Sequence, residues 1–267
     1  KMISNAPPRI SLGNLPFYWR INKNPKEESI LPTNLPYTFT LNESIELIIE
    51  EQKPELLNIL KTMYEQEANI GFLLDGHNLA DSYGNDFLQF INKQIDEFGL
   101  KTIHEIGCGG CYLLEKLNSK GHQVLGIDPS PVAHAKAKEK GLKIIPDFYP
   151  SKLLKEKADL IFHVDVLEHT SDPINFIASH KNGLNENGFI IANVPDNTKS
   201  IELGDISIAS HQHLNNFDEK SLHNTFQKAG FHTVSIEKSN VGGSLYGLAS
   251  KKKITSYVHK NNNKNTS

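Results

Sequence analysis

Cysteine is nearly missing from this chain. Only Cys108 and Cys111 occur in 267 residues. One pair three residues apart, with no second pair, excludes a disulfide framework and a four-cysteine zinc site. No run of about 18 apolar residues exists, so no spanning helix is expected. Neither charge sign dominates: 28 basic and 31 acidic side chains leave a formal −3. A chain so balanced has no global attraction to nucleic acid or an anionic membrane, and neither is expected as a partner. Residues 1–20 hold three prolines and no continuous apolar stretch, so they do not read as a signal peptide. The expectation is a cytoplasmic protein of one large domain plus an extension, long enough for a substantial core.

Six of the thirteen prolines fall in residues 1–40. That density forbids long helices and predicts an extended arm or irregular cap. Leu15-Pro16-Phe17-Tyr18-Trp19 is the most aromatic stretch. It reads as a tether packed on the domain or as a wall of a substrate pocket. Leu41, Ile45, Ile48 and Ile49 fall on one face of a helix, as do Leu56, Leu57, Leu60 and Tyr64. Phe87, Ile91, Ile95 and Phe98 form a third stripe, stopped by Gly99. Residues 1–98 are therefore predicted to be an N-terminal arm and helical cap.

From Lys101 the pattern alternates. Short strands are predicted at 102–106, 124–127, 142–145, 160–164 and 189–194, with helices between them, and two more strands at 232–238 and 244–250. A helix from Asp218, a plausible N-cap, closes at Gly230. This order predicts an α/β fold: a Rossmann-like, seven-stranded, mostly parallel sheet with helices on both faces, over residues 99–250. The tail 251–267 carries five lysines and no acid and is expected to be disordered.

Glu105-Ile106-Gly107-Cys108-Gly109-Gly110 lies between a strand and a helix, where open α/β sheets bind ligands. Gly107 and Gly109 permit a tight turn and let a ligand approach backbone. Asp128 ends the next strand about 20 residues on, where a carboxylate accepts both ribose hydroxyls of an adenosine cofactor. A dinucleotide would want a further glycine three residues after Gly109, and none stands there. Glu105 would repel a pyrophosphate and suits the cationic end of S-adenosylmethionine (SAM) instead.

As a set these residues resemble the class I SAM-dependent methyltransferases, over residues 100–250. His104 to Gly109 resembles their first motif, and Gly126-Ile127-Asp128-Pro129-Ser130 their second. Ala158 to His169 is similar to the fourth-strand motif of the branch acting on sugars and other small molecules. Asn193-Val194-Pro195, His211-Gln212-His213-Leu214 and Ala229-Gly230-Phe231 follow that branch too. Cys111 replaces the third glycine of the first motif. No cysteines stand where some members carry an N-terminal zinc module, so that module is not expected. The resemblance implies that Glu105, Gly107 and Gly109 line the methionine part of SAM and that Asp128 holds its ribose. It places Pro129 or Ser130 beside the adenine, with Asp147 and Phe148 at the adenine edge and His163 near the sulfonium.

An oxygen acceptor needs a base, and histidine suits neutral pH. His169, His211 and His213 are the candidates. The same three could hold a zinc ion, but no resident metal is expected. Cys108 and Cys111 read as structural, with Cys111 in the helix after the turn. The expected enzyme methylates a hydroxyl of a small molecule, a sugar or sugar-linked group such as a nucleotide sugar or glycan in surface-glycan or capsule biosynthesis. C-methylation of a keto sugar, a NAD-dependent oxidoreductase and a non-catalytic SAM-binding subunit are the rivals. Oligomeric state is left open.

Overall fold

A computed structural model describes residues 7–17, 32–66 and 78–254. The chain runs β1 (Arg9–Pro16), β2 (Asn34–Asn42), β3 (Leu47–Glu50), α1 (Pro54–Gln66), α2 (Asn78–Phe98), β4 (Thr102–Ile106), α3 (Tyr112–Ser119), β5 (Gln123–Ile127), α4 (Pro131–Glu139), β6 (Ile144–Ile145) and β7 (Ala158–Val164). It continues through α5 (Pro173–Gly183), β8 (Leu184–Pro195), α6 (Thr198–Leu203), β9 (Asn215–Asn216), α7 (Glu219–Lys228), β10 (His232–Lys238) and β11 (Ser244–Ser250).

The large sheet has seven strands in the order β10-β11-β8-β7-β4-β5-β6. Strands β4 to β8 are parallel, and β11 runs antiparallel to β8 and to β10. This is the predicted Rossmann-like fold. The predicted stripe of α2 is real: Phe87, Ile91 and Ile95 are buried with Phe162, Ile191 and Leu248 of the sheet on one face. On the other face Ile177 of α5 and Leu222 and Phe226 of α7 pack on Ile161 and Ile190. The predicted cap of α7 is present, with Asp218 accepting from Ser221 N–H at 2.7 Å.

The N-terminal region is half sheet, half helix. β1, β2, β3 and β9 form a four-stranded antiparallel sheet, so the proline-rich arm is extended, as expected. The helix predicted from Leu41 to Ile49 is not formed. Leu41 pairs with Ile48 and Thr40 with Ile49 across a β2–β3 hairpin. Asn42 turns the chain by accepting from Ser44 N–H and Ser44 Oγ–H, and Glu46 is left-handed at φ 54°. Apolar residues seven and eight apart share a helix face, but they also face each other across a tight hairpin, and periodicity in so short a run does not separate the two.

Of the two helices predicted for the cap, α1 packs with Phe17 and Leu35, whereas α2 belongs to the main domain, because its apolar stripe covers the large sheet. Phe17 packs with Leu35, Leu56, Leu60 and Leu214, in line with the tether reading. Tyr18, Trp19 and residues 255–267 of the basic tail lie outside the described residues. Two contacts tie the cap to the rest. β9 completes the small sheet by pairing with β3, and Ile45 and Leu47 join the main core beside Phe217 and Leu222.

Candidate functional site

One cavity of about 670 Å³ opens above the carboxyl ends of β4, β5 and β7. Its size suits a cofactor and a small partner together. Its floor is the turn after β4. Gly107 sits at φ 72° and Gly109 at φ 44°, both left-handed. A Cβ on Gly107 would stand 2.6 Å from Val166 Cγ2, while one on Gly109 would meet nothing within 4 Å. Gly107 therefore has no room for a side chain, and Gly109 leaves its backbone open to a ligand.

Cys111 occupies a third left-handed position, φ 59°, as the residue before α3 rather than within it. That backbone explains why glycine is the usual occupant here. The thiol is buried beside Cys108, with sulfurs 3.9 Å apart, among Leu114, Ala133 and Ala137.

Asp128 is buried and borders the cavity. Its carboxylate accepts from Gly109 N–H at 2.9 Å and Ser130 N–H at 2.8 Å. Each oxygen keeps a further lone pair for a ligand hydroxyl. Burial raises its pKa, and the two backbone bonds oppose that shift. Pro129, Ser130, Asp147 and Phe148, expected beside the adenine, border the same cavity. Asp147 already accepts from Phe148 N–H and Ser151 Oγ–H, so its carboxylate shapes the loop first. An open glycine backbone, a buried carboxylate with spare lone pairs and a flanking aromatic together fit SAM.

Two predicted cofactor residues sit elsewhere. Glu105 lies under the turn rather than at the cavity, close to Cys111 and Asp128, and burial holds its pKa well above the usual carboxylate range. His163 points into the opposite layer, fully buried, with its ring against Phe176 and His180. Alternation along β7 sends Val164 to the cavity and His163 away from it.

The three histidines also separate. His169 borders the cavity. Its Nδ1 lies 2.7 Å from the Gln212 carbonyl. A carbonyl only accepts, so Nδ1 carries the hydrogen and Nε2 holds the lone pair. Burial pushes its pKa down to about 4, with His213 adding to the effect. His213 packs edge-on against it at 5.1 Å between ring centres. His211 is not at the site. It is buried in the small sheet, with Nδ1 2.7 Å from Glu50 Oε1 and its ring beside Tyr37. It reads as a structural partner of Glu50.

Sequence reasoning passed over several neighbours. Glu168 is 1% exposed and neither carboxylate oxygen has a hydrogen-bond partner among the described residues. Its pKa is held well above the usual range by burial and by Asp165. Asp165, left-handed at φ 50°, borders the cavity and accepts from Tyr83 Oη–H at 3.1 Å. Burial raises its pKa to about 6, and the Tyr83 bond resists the rise. Asn215 Nδ2 donates toward the carbonyls of Leu167, Glu168 and Thr170, which fixes the turn carrying Glu168 and His169. The far wall is apolar, from Leu57, Leu60 and Tyr64 of α1 and from Leu214, and Asn58 and Asn175 add polar edges. The Asp165-x-x-Glu168-His169 spacing after a strand was the one signal that could have found the first two.

Residues 81–236 match the family described as a methyltransferase domain. A 115-residue segment is 36% identical to a ubiquinone biosynthesis O-methyltransferase of Histophilus somni (strain 2336), covering 39% of this chain and 48% of that protein. A 194-residue segment is 27% identical to a tRNA U34 carboxymethyltransferase of Campylobacter jejuni subsp. jejuni serotype O:23/36 (strain 81-176), covering 66% of this chain and 62% of that protein. The chain thus spans about half to three-fifths of the length of these relatives. The N-methyltransferase NodS from Bradyrhizobium japonicum WM9, in complex with S-adenosyl-L-homocysteine (SAH), shares the fold at a TM-score of 0.53 and 14% identity, over 74% of this chain and 99% of that one.

Proposed function

The chain belongs to the methyltransferase-domain family, whose cofactor is SAM, and we propose that it methylates a hydroxyl of a small acceptor held between the SAM cradle and α1. The observation carrying this reading is that one cavity is lined both by Asp128 and Gly109, which hydrogen-bond each other, and by His169 and Tyr64, whose rings are in contact. Residues 99–250, with α2 covering one face of their sheet, serve as the SAM-binding domain, and α1 roofs the acceptor.

SAM supplies an activated methyl, so the protein's task is alignment and handling of the acceptor proton. Asp128 takes the ribose hydroxyls. Gly107 and Gly109 admit the methionine part against backbone, and Phe148 flanks the adenine. The acceptor hydroxyl is activated beside His169, whose neutral imidazole persists above about pH 4.

Leu57, Leu60, Tyr64 and Leu214 favour an acceptor with an apolar face, such as a hydroxylated ring. Kinship with an O-methyltransferase of ubiquinone biosynthesis agrees. A sugar-linked acceptor is the second reading, favoured by Asn58 and Asn175 on the same lining. The formal charge of −3 gives little support for RNA as acceptor.

The test is incubation of the protein with SAM and three acceptor panels: phenols and catechols, nucleotide sugars, and RNA. Products are read by mass as one added methyl alongside SAH. Phenolic turnover supports the first reading and sugar turnover the second. Turnover of RNA alone, or methylation only at carbon, overturns hydroxyl methylation of a small molecule.

A further inference from the structure

The geometry points to a divalent metal site formed by Glu168, His169 and His213 at the acceptor end of the cavity, and we propose that it takes a first-row transition ion such as Zn²⁺. Each residue offers one ligand atom, and the three atoms lie within 4.8 Å of one another. His169 Nε2 and Glu168 Oε1 are 3.8 Å apart. Ligands at zinc distances of about 2.0–2.2 Å stand roughly 3.3 Å from each other. Small side-chain rotations close that gap.

Three further features favour an ion. Glu168 is buried with neither oxygen hydrogen-bonded among the described residues, and a buried carboxylate without such partners needs a proton or a cation. The hydroxyl of Tyr64 is also buried, with no hydrogen-bond partner among the described residues, and its ring lies 6.2 Å from that of His169. His169 is oriented as a metal ligand is, with Nδ1–H held by a backbone carbonyl and the lone pair on Nε2. Two imidazoles and one carboxylate are a donor set for zinc and its first-row neighbours rather than for Mg²⁺.

His169 and Tyr64 border the cavity, so the fourth position of such an ion opens toward the acceptor. An acceptor oxygen bound there would lose its proton more readily. The inference rests on reading this cavity as the acceptor site. It replaces direct proton removal by His169 with activation at the ion, and it revises the expectation of no resident metal.

The test uses the whole purified chain, stripped with chelator, without SAM or acceptor. It is titrated with Zn²⁺ and, separately, with Co²⁺, Mn²⁺ and Mg²⁺. The expected result is one Zn²⁺ per chain, a visible Co²⁺ absorption of tetrahedral strength, and weak Mg²⁺ binding. Glu168→Gln and His213→Ala should each weaken Zn²⁺ binding at least tenfold and keep SAH affinity, while His122→Ala, remote from the site, should change neither. Binding that survives both site variants, or no stoichiometric binding at all, overturns the site. If the variants fail to fold, the wild-type Co²⁺ spectrum decides alone. Because no acceptor is present, failure here is distinct from failure of the hydroxyl reading, which shows as no turnover with ion bound.

Discussion

At Asp128 one carboxylate holds the Gly109 and Ser130 amides and still offers lone pairs to the cavity. Asp128→Asn turns one acceptor oxygen into a donor, which must face either a backbone N–H or the ribose. Hydrogen bonds to charged groups contribute about 1.5–3 kcal/mol, so SAH affinity should fall about ten- to hundredfold by calorimetry. A change within twofold would sink the ribose assignment. His104 makes a different case. It is buried in β4 with neither ring nitrogen hydrogen-bonded among the described residues, and burial lowers its pKa to about 4. Its folded value lies below the unfolded value of about 6.5. The stability tied to its neutral form is complete above pH 6.5 and is lost as pH falls through 4. His104→Leu removes that loss, so the variant should gain on the wild type on acidification from pH 7 to 4, by up to about 3 kcal/mol. Urea unfolding at several pH values reads it. A constant difference across that window would mean the ring titrates normally.

Elements set which residues meet, and sequence shows this unevenly. Gly107, Gly109 and Asp128 were legible because strand, turn and helix hold them at fixed spacing. His211 and His213 were not separable. They stand two apart, yet His211 reaches Glu50 of β3 and His213 reaches Glu168, because the chain here runs into β9, which pairs with β3 while Asn215 holds the 167–170 turn. The burial of Glu168 was equally hidden, since segments distant in sequence impose it. Nor did the run from Leu41 to Ile49 show that it would fold back on itself. Asn215 of β9 is the hinge of this arrangement, bonded to the 167–170 turn. Asn215→Ala removes those donors without touching the SAM cradle. We expect SAH affinity to hold while kcat falls about tenfold, the lower range for a partner that orients a site residue. Equal losses of kcat and SAH affinity would instead point to collapse of the whole rim.

For the whole molecule, the cap shares both a sheet and a core with the SAM-binding domain: β3 pairs with β9, and Ile45 and Leu47 pack among Phe217 and Leu222. A cap joined this way should melt with the domain in one transition rather than ahead of it. Ligand that binds only the folded chain then stabilises all of it together. At a hundred times its Kd, SAH should add about 2.7 kcal/mol. With roughly 2–4 °C per kcal/mol for a chain near this size, Tm should rise by about 5–10 °C. NADH at equal concentration should leave Tm unchanged, since Tyr112 stands where a pyrophosphate turn needs its third glycine. Asp128→Asn should lose at least about half of the SAH shift at that same concentration. Two separate transitions, with only the later one moved by SAH, would mean that the cap folds independently and that the acceptor wall on α1 is not locked to the cofactor end of the cavity.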